Sequence, residues 1–218
     1  MFLKINKLRR TKLNNQTKVL FFDTETSGFI NKALPASDPA QAWTVQIGAI
    51  LANMEEDFDQ MNVIIKSYGR SMNPFAEQVH GISSEHADEV GIEEVEAAEN
   101  FGLLLRQADL VVCHNHTFDW NYVNQLMERN IDNLSDLARS AFYLDLPSFC
   151  TMKDKKIVKF CGLKNKTGKP KWPKLIELHE ILFGEAFEGA HDAYADIAAT
   201  KRCFFELVNR NIVELKLS

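Results

Sequence analysis

The stretch Val19-Leu20-Phe21-Phe22-Asp23-Thr24-Glu25-Thr26-Ser27-Gly28 constrains this chain more than any other. Successive side chains of an extended strand point to opposite faces, so Val19 and Phe21 line one side while Leu20 and Phe22 line the other. Apolar residues on both sides mark a strand buried in the middle of a sheet. Asp23 and Glu25 lie two residues apart and share the face of Val19 and Phe21. Carboxylates at the end of a buried strand must be solvated, paired or metal-bound, and Gly28 closes the stretch with a turn.

The rest of the chain supplies the layers around such a strand. Residues 31–42 contain Pro35 and Pro39 and read as a loop. Trp43 to Asn53 and Asp59 to Ser67 read as two further strands, giving an early antiparallel meander. From Ile92 to Ala108 the apolar positions Val95, Ala98, Phe101, Leu104 and Leu105 recur at helical spacing, and Leu110 to Cys113 makes a short buried strand. His116 to Arg129 is predicted helical, Phe142-Tyr143-Leu144 is the expected last strand, and Leu175 to Leu182 and Asp192 to Asn209 are the expected final helices. A strand meander followed by alternating strands and helices implies an α/β or α+β sheet layered by helices. Residues 165–173, with Gly168, Pro170 and Pro173, form a loop before those helices.

Length and composition set the scale. With 218 residues, 45% of them hydrophobic, the chain can bury a sizeable core. The expected organisation is a basic arm over residues 1–16 and a single domain over 17–218. No run is long and apolar enough for a signal peptide or a bilayer span, so a cytoplasmic protein without membrane contact is expected. Cys113, Cys150, Cys161 and Cys203 are scattered without zinc spacing and read as reduced thiols.

The net charge of −5 argues against a protein that coats nucleic acid non-specifically. Its distribution qualifies that. Lysines and arginines gather between Lys4 and Lys18 and again between Lys153 and Lys174, where Asp154 is the one acid before Glu177. An enzyme that meets a polyanion along one side has this asymmetry. The late run, interleaved with Phe160 and Trp172, has the charges and stacking surfaces that track a single strand; a solvated lysine loop is the alternative.

Two further segments carry chemistry. In Val112-Cys113-His114-Asn115-His116-Thr117-Phe118-Asp119 a buried strand runs into a helix and delivers Asp119 to its first turns, where the helix dipole alone would explain an acid. In His191-Asp192-Ala193-Tyr194-Ala195-Asp196 a helix opens. If His191 were helical it would stand about 140° around from Asp196, so His191 is placed in the loop after Gly189, with Asp192 as the cap and Asp196 one turn in.

Taken together, Phe-Asp23-Thr-Glu25-Thr-Ser-Gly28, Asn115-His-Thr-Phe-Asp119 and His191-Asp-Ala-Tyr-Ala-Asp196 resemble the DEDDh exonucleases, the DnaQ-like family of the epsilon subunit of bacterial DNA polymerase III and of ribonuclease T. The motifs occur in the family's order from about Val19 to Leu207, and Val79-His80-Gly81-Ile82 is similar to an element that follows the third strand there. The resemblance implies a ribonuclease H-like fold, a mixed five-stranded sheet flanked by helices. It implies a 3'-5' exonuclease that releases nucleoside 5'-monophosphates, with Asp23, Glu25, Asp119 and Asp196 holding two Mg²⁺ or Mn²⁺ ions and His191 as general base. Two divalent ions about 3.5–4 Å apart suit phosphodiester hydrolysis because they stabilise attacking and leaving oxygens together. Without metal, so many like charges would repel, which disfavours a purely structural cluster. Thr26, Ser27 and Gly28 are implied to meet the terminal nucleotide, with His80 and Asn115 as further substrate-binding candidates; a glycine needed only for the turn, and a His80 that merely satisfies a carbonyl, are the alternatives.

Single-stranded DNA 3' ends are the expected substrate, and RNA 3' ends are the runner-up. From another class comes a non-catalytic nucleic-acid-binding or polymerase-accessory module, which the full set of acids and His191 disfavours. A phosphatase acting on small phosphate esters would leave the lysine run unexplained. No extended tail like that by which the epsilon subunit holds its polymerase follows the last helix, so a free-standing nuclease is expected, with a polymerase partner left open.

Overall fold

A computed structural model describes residues 13–189 and 192–215. Its centre is a five-stranded sheet in the order β3-β2-β1-β4-β5. The strands are β1 (Val19–Thr26), β2 (Thr44–Ala52), β3 (Asp57–Ile64), β4 (Leu110–Cys113) and β5 (Ser148–Cys150). β1, β2 and β3 form the antiparallel meander, whereas β4 pairs parallel with β1 and β5 parallel with β4. The sheet is therefore mixed, and β1 is its middle strand.

The alternation along β1 divides the core. Leu20 and Phe22 pack with Ile47, Ala49 and Leu51 against α3 (Glu94–Leu105) and α4 (His116–Asn130). Val19 and Phe21 pack with Ile50, Leu110 and Val112 against Ile197 and Phe204 of α8 (Ala193–Asn209). All four β1 residues are buried, as a strand covered on both faces requires. Among the described residues no helix is long and apolar enough to cross a membrane, and the four cysteines are free thiols.

Smaller elements complete the layers. α1 (Pro74–His80) begins with the Asn73 side chain accepting the Phe75 N–H and ends at Gly81 in the left-handed conformation. α2 (Ser84–Val90) is capped by Ser83, and its Ala87 joins Ile82, Trp43 and Val45 in a small core. α5 (Asp136–Ala141) packs on α3, while α6 (Lys155–Cys161) and α7 (Leu175–Phe183) pack beside α8. Of the basic arm, residues 1–12 lie outside the described residues. Residues 14–17 form a turn whose Asn15 carbonyl accepts from Asn53 Nδ2 at 2.6 Å.

The expected last strand is corrected. Phe142 to Leu144 continue α5 in turns, with the Phe142 and Tyr143 N–H groups donating to the carbonyls of Arg139 and Ser140, and Tyr143 is 73% exposed. The strand is Ser148–Cys150 instead. Three residues carry no readable period, and an aromatic pair after a short helix imitates strand composition.

Candidate active site

β1 outruns its parallel neighbour. The β1–β4 pairing ends at Phe21 and Val112, and β1 continues through Asp23 and Glu25 alongside β2 alone. A crevice opens there at the carboxyl ends of β1 and β4, where the strand order changes sense, the place where open α/β sheets bind ligands. It forms a cavity of about 520 Å³ lined by Asp23, Glu25, Asn115, Asp119 and Asp196, with Lys174 on its rim.

Each acid arrives by a different route. Asp23 and Glu25 stand on the α8 face of β1. Asp192 caps α8, its side chain accepting the Ala195 N–H at 3.0 Å, which sets Asp196 one turn inside the helix. α8 reaches β1 because Gly48, paired with Asp23 across the β1–β2 ladder, has no side chain. A Cβ on Gly48 would lie 3.1 Å from the Ala193 carbonyl carbon and oxygen. Asp23, Glu25 and Asp196 thereby bring one carboxylate oxygen each to within 4.8 Å of one another.

Asp119 comes from the opposite face. It sits in the first turns of α4, 2% exposed, and its Oδ1 accepts from the Thr24 backbone N–H at 3.2 Å and the Thr24 hydroxyl at 2.9 Å. Thr24 alternates away from its neighbours Asp23 and Glu25, so one tripeptide holds acids from both helix layers. The turn into α4 is made by Asn115, whose φ of 78° and ψ of 40° are left-handed, a conformation asparagine tolerates better than most residues. Its carbonyl accepts the Phe118 N–H at 2.8 Å.

Electrostatically the cluster is short of cation. Burial, and then the charges of Asp119, Asp196 and Glu25, raise the Asp23 pKa well above the usual carboxylate range. Burial, then Asp196 and Asp119, push Glu25 up to about 8. Burial raises Asp119 as well, against the pull of the Thr24 donors. Carboxyls held this close lose that repulsion only by taking up protons or a cation. An all-oxygen donor set suits Mg²⁺ or Mn²⁺ rather than a thiophilic metal, so the residues present fit a divalent ion.

The remaining candidates sit differently. His191 lies outside the described residues. Thr26 and Ser27 are buried and bonded into the fold: the Ser27 hydroxyl accepts the Trp43 N–H at 2.9 Å, and the Ser27 carbonyl accepts from Asn73 at 2.7 Å. Gly28, at φ 151°, lets the turn pass Asn73, and its carbonyl accepts the Tyr122 hydroxyl. None of the three lines the cavity. Beyond them Phe29, 84% exposed, places its ring 6.5 Å from that of Phe118, which does line it. His80 also stands outside the lining. Its Nδ1 accepts the Ile82 N–H at 3.1 Å, and burial lowers its pKa.

Sequence reasoning passed over Thr24, His114 and Gly48. Thr24 was hidden because period-two alternation puts it on the face away from the acids. Gly48 left a signal, since a glycine inside a strand pattern marks a close backbone approach.

A mixed sheet in this order, flanked by helices and carrying its acids at the end of the central strand, is the ribonuclease H-like fold of the nucleases. The chain belongs to the exonuclease family of the RNase T type, whose sequence profile matches residues 20–204. Solved structures of Escherichia coli exonuclease I share the fold. The complex with a dA16 oligonucleotide superimposes with a TM-score of 0.67 at 21% identity, covering 89% of this chain and 41% of that one. The dT13 complex gives 0.69 at 22%, with coverages of 89% and 41%. The zinc-bound complex with single-stranded DNA gives 0.66 at 20%, again with 89% and 41%. The chain thus spans about two fifths of the length of exonuclease I. No curated protein matches it by sequence.

Proposed function

We propose that this chain is a 3'-5' exonuclease that shortens single-stranded DNA to nucleoside 5'-monophosphates, using two Mg²⁺ or Mn²⁺ ions held by Asp23, Glu25, Asp119 and Asp196. The observation that carries the reading is the convergence of Asp23, Glu25 and Asp196 within 4.8 Å on a buried strand end, in a chain of the exonuclease family. Bound divalent ions supply charge neutralisation at the phosphorus centre and its leaving oxygen.

The chain's own residues do the rest. Asp119, fixed through Oδ1 by Thr24, brings a carboxylate from the α4 side of the same cavity. Asn115 lines the approach to it, and Phe118 with Phe29 offers aromatic surface beside the acids on which a terminal base can stack. Thr26 to Gly28 act on the terminal nucleotide by setting the backbone that carries Phe29. His191, by its place in the family motif, takes the proton of the attacking water, a task for which an imidazole titrating near neutrality is matched. Support for DNA as the strand comes from the exonuclease I complexes with dA16 and dT13.

One experiment tests class and substrate together. 5'-Labelled single-stranded DNA, duplex DNA and RNA are incubated with Mg²⁺, Mn²⁺ or EDTA, using the wild-type chain and Asp23→Ala. The expected result is a stepwise ladder on single-stranded DNA that requires both metal and Asp23. A stronger ladder on RNA would replace the substrate, and no ladder on any strand would overturn the enzyme reading.

A further inference from the structure

The lysine-rich segment between β5 and α7 is built, and only its two ends approach the cavity. Residues 164–170 close a hairpin: Lys164 bridges Pro170, and the Asn165 side chain accepts from Thr167 and Lys169. At one end Met152 lines the cavity; at the other Lys174 does. Their neighbours Lys153 and Trp172 meet, with the ammonium 5.4 Å from the indole centroid. Trp172 is 57% exposed.

His114 fastens this arrangement to the sheet. It follows β4 directly, and its Nδ1 lies 2.9 Å from the Thr151 hydroxyl while Nε2 lies 3.2 Å from the Pro173 carbonyl. A carbonyl can only accept, so Nε2 carries the proton and Nδ1 receives the hydroxyl's. Thr151 is itself tied to the Cys113 carbonyl at 3.1 Å through its N–H. The brace joins the ends of β4 and β5 to the residue between Trp172 and Lys174.

We propose that Trp172 and Lys153, held in place by the His114 brace, form a subsite for the single-stranded nucleotides just upstream of the terminal phosphodiester, the indole stacking a base and the ammonium meeting the adjoining phosphate. The inference rests on the exonuclease reading, and it extends that site along the strand. Folding gains little from an exposed tryptophan on a surface with nine lysines between Lys153 and Lys174. Aromatic faces paired with cations are the sequence-tolerant means of holding a single strand. Position decides the nucleotide: the cavity beside the acids takes the terminal residue, and Lys153 and Trp172 adjoin its lining at Met152 and Lys174.

The test compares substrates with and without an upstream strand. kcat/KM is measured on the p-nitrophenyl ester of thymidine 5'-monophosphate and on dT oligomers of increasing length, for wild type, Trp172→Ala, Trp172→Phe and Lys153→Ala. The ratio of the long-oligomer value to the ester value is expected to fall about tenfold in Trp172→Ala and to recover in Trp172→Phe. Lys153→Ala should lower the slope of log KM against log salt by about 0.7. A parallel measurement of labelled dT10 affinity in Ca²⁺ reads the subsite without relying on turnover, with a tenfold weaker Kd expected for Trp172→Ala. An unchanged ratio and an unchanged Kd in that variant would overturn the subsite, whereas tight, Trp172-dependent binding by a wild type that cleaves nothing would sink the exonuclease reading and leave the subsite standing.

Discussion

Asp119 shows how much of a site can hang on a residue between two acids. Thr24 gives it two hydrogen bonds, one from the backbone and one from the hydroxyl, and the latter disappears in Thr24→Val. Loss of a buried bond to a carboxylate costs about 1.5–3 kcal/mol, so that variant should lower thermal stability measurably and reduce kcat more than it raises KM. If calorimetry and kinetics of Thr24→Val match wild type, the clamp has no functional weight. His191 belongs to the same scale. In the proposed role of general base it must be neutral, so kcat is expected to rise with pH through an imidazole titration, and His191→Ala should cut kcat by about 10²–10⁴ while metal affinity is kept. A pH–rate profile of the variant that retains the imidazole limb would refute the role. The carboxylates that meet at the cavity were legible in the sequence because they fall in ordered motifs. Thr24 was not, because alternation assigns it to the wrong face until the second helix layer is in place.

Among the elements, α8 does most to assemble the site, and it does so by approaching the sheet at Gly48. Gly48→Ala puts a methyl 3.1 Å from the Ala193 backbone and 3.2 Å from Ile197 Cδ1. The helix start must then shift by a few tenths of an ångström, taking Asp196 from its partners. Overpacking of this kind costs about 1–3 kcal/mol. The expected outcome is at least a tenfold loss of kcat/KM with a several-fold weaker Mn²⁺ affinity by titration calorimetry; wild-type metal affinity would show that the close approach does not set the cluster. The same scale marks where reading the sequence worked. α3, α4 and α8 have apolar spacing that reveals a buried face, and β1 and β2 have apolar runs on both sides. A sheet layered by helices was therefore readable, while its mixed order came only with the family resemblance. β5 has three residues and no period, and α1, α2, α5 and α6 are six or seven residues long, so caps and packing rather than amphipathic stripes define them.

For the molecule as a whole, the acid cluster contributes a pH dependence of stability when no cation is bound. In the unfolded chain Glu25 titrates near 4, and in the fold it is pushed up to about 8 by burial and by Asp196 and Asp119. Asp23 and Asp119 are raised as well. Across the interval between those values the folded state binds more protons than the unfolded one, so stability falls as pH rises and is lost through the folded pKa. His114 works at the other end. Burial lowers it to about 4, so it destabilises the fold only as pH drops below the unfolded value near 6.5. Between pH 7 and 8.5 the imidazole is largely neutral in both states, and the carboxyls act together with the Cys113, Cys161 and Cys203 thiols. Burial raises these thiols above their unfolded value of about 8.5, so they lower stability in the same direction as pH rises. In EDTA the melting temperature should therefore fall by roughly 5–10 °C across that window, given about 2–4 °C per kcal/mol for a domain of this size. Saturating Mg²⁺ or Mn²⁺ replaces the protons as the neutralising charge and adds its own binding free energy. The melting temperature with metal should then be higher and less dependent on pH over the same range, and Glu25→Gln in EDTA should reduce the slope. A wild-type protein whose melting temperature in EDTA is flat from pH 7 to 8.5, or is unmoved by metal, would show that these carboxyls are not the repelling, cation-seeking cluster that their burial and proximity describe.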